Sequence, residues 1–137
     1  MSEQSAETIL IIDDDVVVAQ AFAMALRREG FQVWTAHSAD DGLRDAQQIR
    51  PDAIILDFRM PLINGVGFLY RLREKECNRR TPVVVVTGEA ALTDEVHAQL
   101  RELNADVRIK PVGLHDLIST TRALLHRQAH GRRVQPS

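Results

Sequence analysis

Short apolar runs alternate five times with stretches of helical spacing along the 137 residues of this chain. The runs predict strands near residues 8–13, 31–36, 52–57, 82–87 and 106–109. Their Ile, Leu and Val follow one another without strict alternation, as expected where both faces of a parallel sheet are covered. Helical periodicity fills the gaps, at about 16–29, 39–49, 65–76, 92–102 and 113–128. The last is the clearest, with Leu114, Leu117, Ile118, Thr121, Leu124 and Leu125 on one stripe. The fourth repeats Leu92, Val96, Leu100 and Leu103. Punctuation agrees: Gly30 suits the C-terminal end of the first helix, Ser38 can cap the second, and Pro51 blocks its extension. Trp34, inside the second run, is expected to pack.

Regular strand–helix alternation implies right-handed crossovers and a doubly wound α/β fold. Five strands suggest the flavodoxin-like parallel sheet, strand order 2-1-3-4-5, (βα)5, whose switch point lies between the first and third strands. One domain over residues 8–128 is expected, with short flexible termini at 1–7 and 129–137 and a polar tail fraying from Gly131.

Composition changes this picture little. Hydrophobic residues make up 45% and charged residues 26%, as in ordinary globular domains, and the net charge of -2 gives no pull toward nucleic acid or acidic membranes. The single Cys77 rules out an internal disulfide and suits a reducing compartment. No apolar run approaches the roughly 20 residues of a membrane span, and the polar start is no signal peptide, so a cytoplasmic location is expected.

The candidate chemistry sits where the apolar runs end. Asp57 follows Ala53-Ile54-Ile55-Leu56 and precedes a loop closing with Asn64-Gly65; Asp13 and Asp14 follow Ile9-Leu10-Ile11-Ile12. The switch point lies between those two strands. Two carboxylates about 4 Å apart repel by roughly 4 kcal/mol at an effective dielectric near 20, so a cation is expected among them. The fourth strand delivers Thr87-Gly88 and the fifth delivers Lys110-Pro111.

Two adjacent acids, a third acid, a hydroxyl and an ammonium group at successive strand ends resemble the receiver domain of two-component response regulators. The resemblance implies Asp57 as phosphoacceptor, Asp13 and Asp14 as holders of Mg2+ (Asp14 directly, Asp13 through water), and Arg59 as a further ligand through its backbone carbonyl. It implies Thr87 as the switch hydroxyl and Lys110 as the cation that pairs with the phosphoryl group. The donor would be a sensor histidine kinase or a histidine phosphotransfer protein. The chain would then be no enzyme toward other substrates, catalysing only its own phosphorylation and dephosphorylation. A single-domain receiver is expected, acting through a downstream protein or a phosphorelay, with homodimerisation on phosphorylation open. No DNA-binding segment is expected after residue 128, and no membrane partner.

Plainer readings stand beside these. Asp15, immediately before the first helix, reads as its N-cap. Arg59 and Glu89 flank the acceptor either as a gate tuning phosphoryl lifetime or as an exposed ion pair. His126 and His130 share metal-ligand spacing but read as a solvated helix end, and Arg132 and Arg133 as tail charges. Asp13-Asp14-Asp15-Val16-Val17 also resembles the nucleophile motif of haloacid-dehalogenase-like phosphatases, with Asp13 attacking and Asp15 as acid/base. A third reading is a pseudo-receiver that binds partners without being phosphorylated. One departure is plain: receivers commonly carry an aromatic where this chain has Val107, and none occurs after Tyr70. The coupled hydroxyl–aromatic switch is therefore not expected in its usual form.

Overall fold

The computed structural model describes residues 6–88 and 92–134, with side chains as far as His126. In chain order it contains β1 (Thr8–Ile12), α1 (Val16–Arg28), β2 (Gln32–Ala36), α2 (Ala39–Ile49), β3 (Ala53–Asp57), α3 (Gly65–Glu74), a 3-10 turn (Glu76–Asn78), β4 (Val83–Thr87), α4 (Asp94–Glu102), β5 (Ala105–Ile109) and α5 (Leu114–Val134). The strands form one parallel sheet in the order β2-β1-β3-β4-β5. All five predicted strands and helices exist, in the expected order.

Alternate residues of the central strands feed two cores. Leu10, Ile12, Ile54, Leu56, Val83 and Val85 join α2, α3 and α4 on one face. Ile9, Ile11, Ile55, Val84 and Val86 join α1 and α5 on the other. Fully covered strands need no polar face, which is why their sequences read as continuous apolar runs.

The ends follow local chemistry. Asp15 Oδ1 accepts from the Val17 and Val18 amides at 3.1 and 3.2 Å, capping α1. Ser38, Asn64 and Thr93 cap α2, α3 and α4 in the same way. Gly30, at φ 97°, turns the chain after α1, as only a residue without Cβ does easily. Arg50 takes the left-handed conformation at φ 52°, ending α2 before Pro51.

Four expectations need correction. Trp34 does not pack: it is 52% exposed, because β2 is an edge strand with no neighbour beyond it. The third helix stops at Glu74, and residues 76–78 form the 3-10 turn. The fourth helix starts at Asp94 rather than at 92, because Thr93 supplies its cap. The fifth helix continues beyond the expected end at 128 to Val134. Arg127, Gln128, Ala129, Arg132 and Arg133 favour helix, and one interior glycine costs only about 1 kcal/mol.

A half-buried guanidinium fastens the sheet edge where the strands begin. Arg73, on α3, donates to the carbonyls of Asn78 and Thr81 at 2.9 and 2.7 Å, and to those of Leu103 and Asn104 at 3.0 and 3.2 Å. Burial lowers its pKa to about 10, still fully protonated at neutral pH. Among the described residues no helix is long and apolar enough to cross a membrane.

Candidate functional site

The strand order brings the ends of β1 and β3 side by side, with Ile12 opposite Leu56. Asp13 and Asp14 leave β1 there, and Asp57 closes β3. One carboxylate oxygen from each of Asp13, Asp14 and Asp57 lies within 4.8 Å of the other two. Asp13 and Asp57 are buried, at 4% and 7% exposure, whereas Asp14 faces solvent.

Each acid is fixed by its neighbours. The Asp13 amide donates to the Ala36 carbonyl at 3.0 Å, and Asp13 Oδ1 accepts from the Asp15 amide at 2.9 Å. Asp57 is followed by Phe58, whose amide bonds the Val86 carbonyl at 2.9 Å and whose carbonyl accepts from Gly65 at 2.8 Å. A Cβ on Gly65 would meet Phe58 Cδ1 at 2.9 Å, so glycine lets the loop close this tightly. Arg59 bridges to Asn64 across the loop, and Leu62 takes a left-handed φ of 76°.

Lys110 reaches the same crevice from β5. Its Nζ donates to Asp57 Oδ1 at 3.1 Å, and its backbone amide donates to the Thr87 carbonyl at 2.7 Å. The Lys110–Pro111 peptide is cis. Thr87 ends β4, 1% exposed, opposite Ile109.

Burial pushes the carboxyl pKa values of both Asp13 and Asp57 up. For Asp13 the Asp15 amide works against that rise and the charge on Asp57 adds to it. For Asp57 the hydrogen bond and charge of Lys110 oppose it, Asp14 adds to it, and the Arg59 amide opposes it. One ammonium group does not balance three acids. An all-oxygen donor set this compact, under mutual repulsion, fits a hard divalent cation such as Mg2+.

The structure thus gathers Asp13, Asp14, Asp57 and Lys110 into one cluster and sets Thr87 and Arg59 on its border. Asp15 caps α1 through Oδ1, as its place before the helix implied, and is not among the three acids whose oxygens cluster. Val107 is partly buried with Leu92, Val96 and Leu103, an aliphatic cluster where an aromatic was missed in the sequence. Glu89 and the His130 side chain lie outside the described residues. Cys77 is exposed in the 3-10 turn, away from the acids. His37 was not foreseen: its Nδ1 lies 3.0 Å from the Asp13 carbonyl. Its place just after the second strand, on the edge that carries the acids, was the available signal.

The sequence matches the family model of the response regulator receiver domain over residues 9–122. It is 36% identical to the transcriptional regulatory protein PrrA of Mycobacterium leprae over 124 residues, 90% of this chain and 52% of that protein. It is 34% identical to the probable transcriptional regulatory protein TcrX of Mycobacterium tuberculosis over 120 residues, 88% of this chain and 50% of that protein. The chain therefore spans about half the length of these relatives. Among solved structures it resembles the chemotaxis response regulator CheY4 of Vibrio cholerae, with a TM-score of 0.80 and 27% identity over 88% of this chain and 100% of that one. A CheY-like receiver domain protein from Methanospirillum hungatei matches with a TM-score of 0.84 and 26% identity, over 93% and 99% of the two chains.

Proposed function

This chain belongs to the receiver-domain family of response regulators, and on that premise we propose that Asp57 accepts a phosphoryl group from the phosphohistidine of a sensor histidine kinase or histidine phosphotransfer protein. The observation that carries the reading is the buried Asp57 carboxylate, paired to Lys110 at 3.1 Å and within reach of both other acids.

An Asp57 oxygen attacks phosphorus as the phosphorus–nitrogen bond of the donor breaks, leaving an acyl phosphate on Asp57 and a histidine on the donor. Asp13, Asp14, Asp57 and the Arg59 carbonyl are the groups that would hold Mg2+. When bound, the ion neutralises charge between two anionic reactants. Lys110 gives up its contact with the free carboxylate and pairs with phosphoryl oxygens instead. The walls of the crevice hold the attacking oxygen in place, and positioning and electrostatics supply most of the catalysis. The chemistry is confined to the protein's own aspartate, whose phosphoryl group is later lost to water or passed on in a relay.

Thr87 is the group that reports the modification, its hydroxyl donating to the new phosphoryl oxygens and drawing the β4–α4 connection inward. With Val107 in place of an aromatic, the response runs through repacking of Leu92, Val96 and Val107 between α4 and β5. The output is a protein partner, onward phosphoryl transfer or a homodimer of the phosphorylated form, without DNA contact by this domain itself.

The test is labelling with acetyl phosphate in Mg2+, read by intact mass. A single added phosphate that disappears in Asp57→Asn supports the reading. An added phosphate that persists in that variant, or appears on Asp13, rejects it.

A further inference from the structure

The edge where the strands begin, opposite the acids, holds a second built concavity. It is a cleft of about 430 Å³ between the end of α2 and the 3-10 turn, with Arg50, Arg79 and Arg80 on its rim. Arg80 also borders an adjoining hollow of about 290 Å³ that Arg101 lines. The proposed phosphoryl chemistry uses none of these residues.

The floor of the cleft is rigid. Pro51, Thr81 and Pro82 line it. Beneath, Thr81 Oγ1 donates to Asn78 Oδ1 at 2.9 Å, Asn78 Nδ2 donates to the Ala46 carbonyl at 3.0 Å, and Arg73 holds the Asn78 and Thr81 carbonyls. The rim is cationic and partly uncommitted: among the described residues Arg50 and Arg79 make no ion pair. Arg50 owes its position to the left-handed turn at φ 52° that ends α2. Two acids also line the cleft, Asp52 and Glu76. Asp52 is turned toward β1, where Oδ2 accepts from the Thr8 amide at 2.8 Å. Glu76 remains exposed, so a singly charged anion would gain little there.

We propose that this cleft binds a small molecule carrying two adjacent phosphate groups, gripped by the guanidinium forks of Arg50 and Arg79. Guanidinium groups meet phosphate oxygens in paired, charge-assisted hydrogen bonds. The volume lies within the range of small-ligand sites, and a concavity backed by two prolines suits a compact ligand better than a polymer surface. The strands between this cleft and Asp57 are five residues long, about 17 Å, so the two sites are separate.

The experiment is calorimetric titration of the whole chain with pyrophosphate in Mg2+-free buffer, followed by amide chemical shifts. Saturable binding is expected, weakening as salt is added, with shifts gathered at residues 79–81. Arg50→Gly, which the left-handed backbone accepts, combined with Arg79→Gln should weaken binding about tenfold or more while circular dichroism is unchanged. Asp57→Asn should bind like the parent, so failure of the phosphoacceptor reading and failure of this one are distinguishable. Absence of saturable binding, unchanged affinity in the double variant, or shifts centred on Asp57 and Lys110 would overturn the proposal. So would tighter binding of a polyglutamate peptide than of pyrophosphate, which would assign the cleft to an acidic protein segment.

Discussion

Lys110 Nζ lies 3.1 Å from Asp57 Oδ1, with 39% of the lysine side chain exposed against 8% of the aspartate's. Water therefore reaches the cation freely and the acid hardly at all. A half-exposed pair of this kind breaks at modest cost. The ammonium group can turn toward an incoming anion while the carboxylate stays where the strand puts it.

Lys110→Met should slow phosphorylation of Asp57 by acetyl phosphate about a hundredfold, the usual effect of removing one preorganised charge from a reacting centre. The same change should raise the Asp57 pKa further, since Lys110 is the largest influence opposing burial there. Carboxyl-carbon NMR titration reads the shift directly. An unmoved titration curve would show that the contact carries no coupling.

Raised carboxyl pKa values have a signature in metal-free stability. Below about pH 3.9, the unfolded value, Asp13 and Asp57 are protonated in both states and cost nothing. As pH rises through their higher folded values, the native state must carry buried charge and loses stability. Urea midpoints should therefore fall from acid toward neutral pH as far as these two groups decide them, and Asp13→Asn with Asp57→Asn should flatten that part of the slope. Saturating Mg2+ should reverse it, because the ion binds only the folded carboxylates.

Asp14→Ala removes the most exposed member of the acid set. Mg2+ affinity should drop by about tenfold or more, while the metal-free melting temperature stays the same or rises as repulsion is relieved. Titration followed by Tyr70 or Trp34 fluorescence and a thermal melt would check both halves. Undiminished affinity would remove Asp14 from the ligand set.

Asp15→Ala should cost about 1 kcal/mol by releasing the Val17 and Val18 amides, yet leave phosphate incorporation at Asp57 intact once the protein is folded. Chemical denaturation and intact mass give the two numbers. Loss of phosphorylation without loss of stability would revive an acid/base role for Asp15.

Much of this was legible along the chain. Strands covered on both faces announce themselves as unbroken Ile, Leu and Val, so β1, β3 and β4 were plain, and their order followed from the alternation with helices. The acids were legible because chemistry at a strand end leaves charged residues against an apolar run. Trp34 was misread because exposure at an edge strand depends on which strands lack neighbours, a property of the sheet and not of the local pattern. Arg73 and His37 were missed for a related reason. Arg73 meets carbonyls from segments up to 31 positions away and His37 meets Asp13 across 24, and backbone oxygens carry no residue-type signal. The length of α5 was underestimated because polar helix formers near a chain end read equally well as a solvated tail.

The clamp formed by Arg73 has a mechanical corollary. It grips the chain where α4 runs into β5, at Leu103 and Asn104, whereas Thr87 lies at the opposite pole of the sheet, near the start of that helix. A rod pinned at its tail moves most at its head. A rearrangement begun at Thr87 would on this geometry tilt α4 about Leu103, with its amplitude greatest near Thr93.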